Sequence, residues 1–131
     1  IRMKNLFFLI ALSFYWSGNA YAEWKSVSIA KDKSSEFYVN PNNISIDGER
    51  RYFWTLTNVL RPELPKTDAL SFLVYHELDC KKFRAIDLKF MAKSEKWGKG
   101  ETLADFEPEK KWKYANPGSN KERVWKFVCK Y

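Results

Sequence analysis

The chain has 131 residues and carries 23 Lys+Arg against 16 Asp+Glu, a formal charge of +7. That is one domain's worth of sequence, and its 45% of apolar residues can fill a core, which excludes wholesale disorder. One His and two Cys exclude a zinc-finger ligand set, and five Gly with five Pro exclude collagen-like or low-complexity architectures.

The front of the chain reads as an address. Arg2 and Lys4 flank Met3, an uncharged run follows from Leu6 to Trp16, and Ala20-Tyr21-Ala22 supplies an A-x-A cleavage site. Eleven residues at ~1.5 Å each reach only about half of a ~30 Å hydrocarbon core, so the run is too short for a membrane span. The expected organisation is a signal peptide over residues 1–22 and one exported domain over 23–131. The exported chain should have no transmembrane span and, with no Cys after the cleavage site, no lipid anchor. Removal of Arg2 and Lys4 lowers the 23 basic side chains to 21, which against 16 acidic ones leaves +5. Export also gives the cysteines a meaning. In an oxidising compartment two Cys normally bond, and the one available pairing is Cys80–Cys129. The Cys-x-x-Cys spacing of a redox pair is absent.

Trp24 to Ile29 alternates loosely, as a half-buried strand does. A polar turn at Lys31–Ser35 leads to a second short strand, Glu36–Val39, which Asn40-Pro41-Asn42-Asn43 interrupts. Ile44–Ile46 runs into the hairpin dipeptide Asp47-Gly48. Arg51–Leu60 is a strong strand, with Tyr52, Trp54, Leu56 and Leu60 expected on one face and Phe53, Thr55, Thr57 and Val59 on the other. Pro62 and Pro65 mark a loop. Leu70–Cys80 and Phe83–Ala92 form a long hairpin around Lys81-Lys82, with Ile86, Leu88 and Phe90 expected on one face. Lys93–Gly100 is a basic loop holding Trp97, Glu101–Phe106 a last short strand, and Glu107–Asn116 a polar stretch. Ser119-Asn120-Lys121-Glu122 has the form of a capping box. After it, Val124, Trp125, Phe127, Val128, Cys129 and Tyr131 share one side of a short helix, with Arg123, Lys126 and Lys130 exposed on the other. The expected fold is α+β: an antiparallel, meander-like sheet of about six strands with a C-terminal helix packed on one face and held by the disulfide.

Few residues carry chemistry. His76 could act as a base or haem ligand, but it shares a strand face with Phe72, Val74 and Leu78, which reads as packing. Asp105, Glu107 and Glu109 read as a solvated acidic loop. Ser119 is an N-cap, and nothing in the sequence resembles a catalytic triad, so the chain is read as a non-enzyme with no metal or catalytic site. The suggestive feature is basic residues interleaved with aromatics: Lys96, Trp97 and Lys99; Lys111, Trp112 and Lys113; and the helix stripe Arg123, Lys126 and Lys130. Such surfaces bind polyanions by charge and stacking. Outside the cytoplasm the natural partner is an acidic protein or polyanion rather than nucleic acid.

Several motifs together resemble the bacterial surface-adhesin protein E family. They are Glu23-Trp24, Phe37-Tyr38-Val39-Asn40-Pro41 with Ile44, Arg51–Leu56 with its Trp54, Leu78-Asp79-Cys80 and Lys82-Phe83-Arg84. Gly98 and Gly100, Trp112, Asn116-Pro117-Gly118-Ser119 and Val128-Cys129-Lys130 continue the series, so the likeness covers nearly all of 23–131. The resemblance implies an antiparallel sheet with its C-terminal helix tied on by a disulfide. It also implies a bacterial envelope location in the periplasm, at the outer-membrane surface or secreted, a host matrix protein as partner, and haem as the one cofactor to consider. The leading expectation is a non-enzymatic exported binding protein. The alternative is an inhibitor of an extracellular enzyme, such as a lysozyme inhibitor, since those are also small, exported, disulfide-held and β-rich.

Overall fold

The computed structural model describes residues 23–63 and 67–131, so the expected signal peptide lies outside the described residues. Eight strands form one sheet: β1 Lys25–Ile29, β2 Ser35–Val39, β3 Ser45–Asp47, β4 Arg50–Val59, β5 Ser71–Asp79, β6 Arg84–Lys93, β7 Thr102–Phe106 and β8 Lys113–Tyr114. The path runs β1-β2-β4-β5-β6-β7, with β3 on β4 and β8 on β6, and every pair is antiparallel. Strands that follow one another in the chain lie beside one another along most of this path, as in a meander. The polar stretch after β7 differs from expectation, because Lys113-Tyr114 pairs with Arg84-Ala85 as a two-residue strand.

The turns follow local chemistry. Asn40 caps a 3-10 turn at Pro41–Asn43 by accepting the Asn42 N–H at 3.0 Å. Between β5 and β6 the Asp79 carboxylate accepts the N–H groups of Lys81 and Lys82, at 3.0 and 3.2 Å. Burial pushes the Asp79 carboxyl up, but those two N–H bonds and the charges of Arg50 and Arg84 together hold it below the usual range.

One irregularity rearranges a face. Tyr75 pairs with Lys89 but His76 pairs with Asp87, so Leu88 is an extra residue in β6. The expectation that Ile86, Leu88 and Phe90 share a face fails for this reason. Ile86 stands opposite Glu77 and Phe90 opposite Val74, on the two sides of the sheet.

Helix α1, Asn120–Val128, starts where Ser119 Oγ accepts the Glu122 N–H at 3.1 Å. Its Val124, Trp125 and Val128 are buried with Val39, Phe53, Leu78 and Ala85 in one cluster. Full burial of such side chains contributes about 1.5–3 kcal/mol each. Cys80 at the end of β5 and Cys129 at the end of α1 are bonded, with Cα atoms 5.8 Å apart. The remaining face of the sheet is covered in part by a 3-10 turn at Lys96–Gly98, which leans on Tyr38, Asn58 and Ser71. Among the described residues no helix is long and apolar enough to cross a membrane.

Candidate binding surfaces and a buried relay

The three basic–aromatic groups lie in three places. Trp97 sits in the turn on the face away from α1, its ring 4.9 Å from that of Tyr38 and 46% exposed. Its backbone is left-handed, with φ 66°, a conformation that costs a non-glycine residue free energy. Two buried polar side chains hold it there. Asn58 accepts the Trp97 N–H at 2.9 Å, and Ser71 accepts the Gly98 N–H at 3.0 Å while donating to Glu95 O. Gly98 has φ 70°, and a Cβ there would also stand 3.1 Å from the Leu73 side chain, so both the left-handed backbone and the close approach favour glycine. Lys96 and Lys99 are exposed beside it, but Glu95 and Glu101 are exposed there too, so the turn carries little net charge.

Trp112 lies near the opposite ends of the strands. Arg50 and Asn58 are eight residues apart in β4, roughly 27 Å at ~3.4 Å per residue. The Trp112 ring is half-buried, with the Arg84 guanidinium 4.0 Å and the Arg50 guanidinium 5.0 Å from its centroid. Arg50 in turn pairs with Glu77. Lys113 donates to Asp87 at 2.8 Å and Lys111 pairs with Glu109 at 3.3 Å. This group is therefore engaged within the domain, and Trp112 acts as a clamp between arginines of two strands.

The helix stripe also changes. Arg123 is half-buried and not exposed as the helical wheel implied: it donates to Ser28 Oγ at 2.8 Å, Asn120 Oδ1 at 2.9 Å and Gly118 O at 3.0 Å. Lys126 and Lys130 are exposed, as expected. What sequence reading missed is Lys25. Edge strand β1 packs beside α1 and places Lys25 Nζ 5.4 Å from the Phe127 ring. Lys25, Arg123, Lys126 and Lys130 thus surround Phe127 in one shallow hollow. Glu122 is the acidic group closest to them in the chain, and Lys126 already pairs with it at 3.3 Å. Among the described residues the hollow gathers four cationic side chains beside one aromatic ring, against two at Trp112. No sequence signal links residue 25 to 127; only strand–helix packing does.

Under α1 the β6 bulge assembles something the sequence did not suggest. His76 Nδ1 is 3.1 Å from Asp87 Oδ1, and His76 Nε2 is 2.8 Å from Thr55 Oγ1. The carboxylate can only accept, so Nδ1–H donates to Asp87, and in the neutral ring Nε2 is then the acceptor for the Thr55 hydroxyl. The His76 ring stacks on Phe53 at 5.0 Å. Hydrogen bonding from His76, then from Lys113, holds the Asp87 carboxyl far below its usual range against the opposing effect of burial. The distances are those of a hydroxyl–imidazole–carboxylate relay. Thr55, however, is in a central strand between Val39 and Val74, where backbone amides serve the ladder and are not aimed at an oxyanion. The relay links β4, β5 and β6 side to side. With both ring nitrogens engaged and the His76 side chain only 12% exposed, the site does not fit haem ligation. Among the described residues no group of three His, Cys, Asp or Glu side chains is placed to hold a metal ion. Asp105, at the start of the acidic stretch, pairs with Lys89 at 3.5 Å.

The sequence profile of surface-adhesin protein E matches residues 24–130. The chain belongs to the surface-adhesin protein E family. Two crystal structures of Haemophilus influenzae protein E share its fold with a TM-score of 0.62 and 19% identity. One covers 84% of this chain and 92% of its own, the other 86% and 89%. A structure of protein E from non-typeable Haemophilus influenzae follows at a TM-score of 0.57 and 18% identity, covering 86% of this chain and 79% of its own. No curated protein sequence matches the chain. The family match, the sheet with its C-terminal helix and the Cys80–Cys129 bond agree with what the motifs implied.

Proposed function

We propose that this member of the adhesin E family is an exported, non-enzymatic binding domain that engages an acidic macromolecule, a host matrix protein or another polyanion, through the hollow between β1 and α1. The observation that carries this reading is the convergence of Lys25, Arg123, Lys126 and Lys130 around Phe127. Charge at such a surface steers and binds anionic partners over the ~8 Å that physiological salt leaves unscreened. An aromatic ring at its centre adds stacking against a flat ligand face. The test is heparin-column retention, and capture of acidic matrix proteins, by the parent and by Lys25→Glu/Lys130→Glu. Retention should drop sharply in the double variant with melting unchanged. Equal retention of the two proteins would refute the assignment.

One observation favours a second reading, inhibition of an extracellular enzyme such as lysozyme. Trp97 projects from a short turn already fixed in its left-handed conformation by Asn58 and Ser71. Preorganised short loops of this kind lose little entropy on entering a cleft. Trp97→Ala should abolish inhibition on this reading while leaving heparin retention intact.

A further inference from the structure

We propose that the cleft between α1 and the sheet is a binding site for a small apolar anion: a carboxylate with an aliphatic or aromatic body of about ten non-hydrogen atoms. The helix packs closely where Val128 meets Val39, Phe53 and Leu78, but it is only nine residues long. Beside its first two turns a cleft of about 210 Å³ remains between α1 and strands β2, β4, β5 and β6. At ~30 Å³ per water that is room for roughly seven waters, or for a ligand of the proposed size.

Most of the wall area is apolar, from Phe37 and Val74 of the sheet and Val124 and Trp125 of the helix, with the hydroxyls of Thr55 and Thr57 beside them. An apolar floor continues past Val74 to Phe90, its cross-strand partner, and on to Phe106, whose ring lies 5.0 Å from that of Phe90. Apolar walls offer water few hydrogen-bond partners, so an apolar body gains by lying against them.

Charge selects the sign of the ligand. Asp87 is satisfied from both sides by His76 and Lys113. Lys121, in the first turn of α1, also lines the cleft, and its Nζ lies 6.0 Å from the centroid of the Trp125 ring. Among the described residues it has no carboxylate within 4 Å. Asp87, His76, Lys113 and Lys121 are thus the titratable side chains lining the cleft; the first three are joined through Asp87, and the ammonium without a carboxylate is that of Lys121. A carboxylate there completes an ion pair while its apolar body lies against Trp125 and Val74. A cation would meet repulsion at the same point.

The experiment is a titration of the purified protein with sodium octanoate, followed by amide chemical shifts and calorimetry. Octanol and octylammonium serve as probes of the headgroup. Octanoate should bind saturably with Kd on the order of 1 mM or tighter, shifting Val74, His76 and Trp125. Octylammonium should bind at least tenfold more weakly. Lys121→Gln should weaken octanoate at least fivefold without changing the fold, and Val74→Phe, which fills the cleft, should remove binding. Lys126→Gln, on the outer face of α1, should leave it unchanged. No saturable shift at those residues, equal binding of octanoate and octylammonium, or full affinity in Lys121→Gln would each overturn the proposal. These results do not depend on heparin retention, which reads the hollow on the other side of α1.

Discussion

Removal of the Cys80–Cys129 bond, in a Cys80→Ala/Cys129→Ala variant, tests how the helix is held. The bonded residues are 49 apart in sequence. The chain-entropy relation for a loop of that length gives about 14 cal/mol/K, or about 4 kcal/mol at 25 °C. Against a typical net stability of about 5–15 kcal/mol this is a large share. In the folded state the helix has other attachments, since Val124, Trp125 and Val128 are buried against the sheet. The variant should therefore still fold with α1 docked, and the loss should come from the unfolded chain, freed of its cross-link. Urea unfolding followed by both circular dichroism and tryptophan fluorescence separates the possibilities. The expected result is one cooperative transition, lower in stability by about 4 kcal/mol, with a steeper denaturant dependence because a less compact unfolded state exposes more surface. A loss under about 1 kcal/mol with unchanged slope would refute the entropic reasoning. Two separated transitions would show instead that the bond, and not burial, docks the helix.

Other outcomes follow from single side chains. Val128→Asp should cost about 3–5 kcal/mol in urea titration, because a carboxylate would enter a desolvated cluster, whereas Lys126→Ala should cost under about 0.5 kcal/mol; equal effects would mean the helix register is wrong. Asp87→Asn should destabilise at neutral pH by about 1.5–3 kcal/mol through loss of charge-assisted hydrogen bonds. Since the folded Asp87 carboxyl is depressed from an ordinary value of 3.8, its contribution is complete above that pH and is lost as pH falls further, so the gap between parent and variant should narrow below about pH 4. A gap independent of pH would remove Asp87 as the linked group. Trp112→Ala should lower the melting temperature and leave heparin retention unchanged, because its ring is held between Arg84 and Arg50; lost retention with unchanged melting would place Trp112 in the binding surface after all.

Much of the fold was written locally. Alternation in Arg51–Val59 fixed its two faces, Pro41 and Asp47-Gly48 fixed turns, and Ser119 with Glu122 fixed the start of the helix, because each signal acts within a few residues. Two cysteines in an exported chain left one pairing, and the order of motifs along 23–131 pointed to the adhesin E family.

What tertiary structure alone decided involves residues far apart in sequence. The Leu88 bulge turned Asp87 toward His76 and put Ile86 and Phe90 on opposite faces, since one extra residue reverses the pleat and leaves no local mark. Strand–helix packing brought Lys25 to Phe127, 102 positions away, and drew Arg123 inward to Ser28. The three basic–aromatic groups looked alike as sequence. Folding committed Trp112 to two arginines, left Trp97 half-exposed on a fixed turn, and made a cationic hollow where the first strand meets the C-terminal helix. Composition determines that the chain carries excess positive charge; which cations stay available to a partner depends on the carboxylates, carbonyls and rings that the fold places beside them.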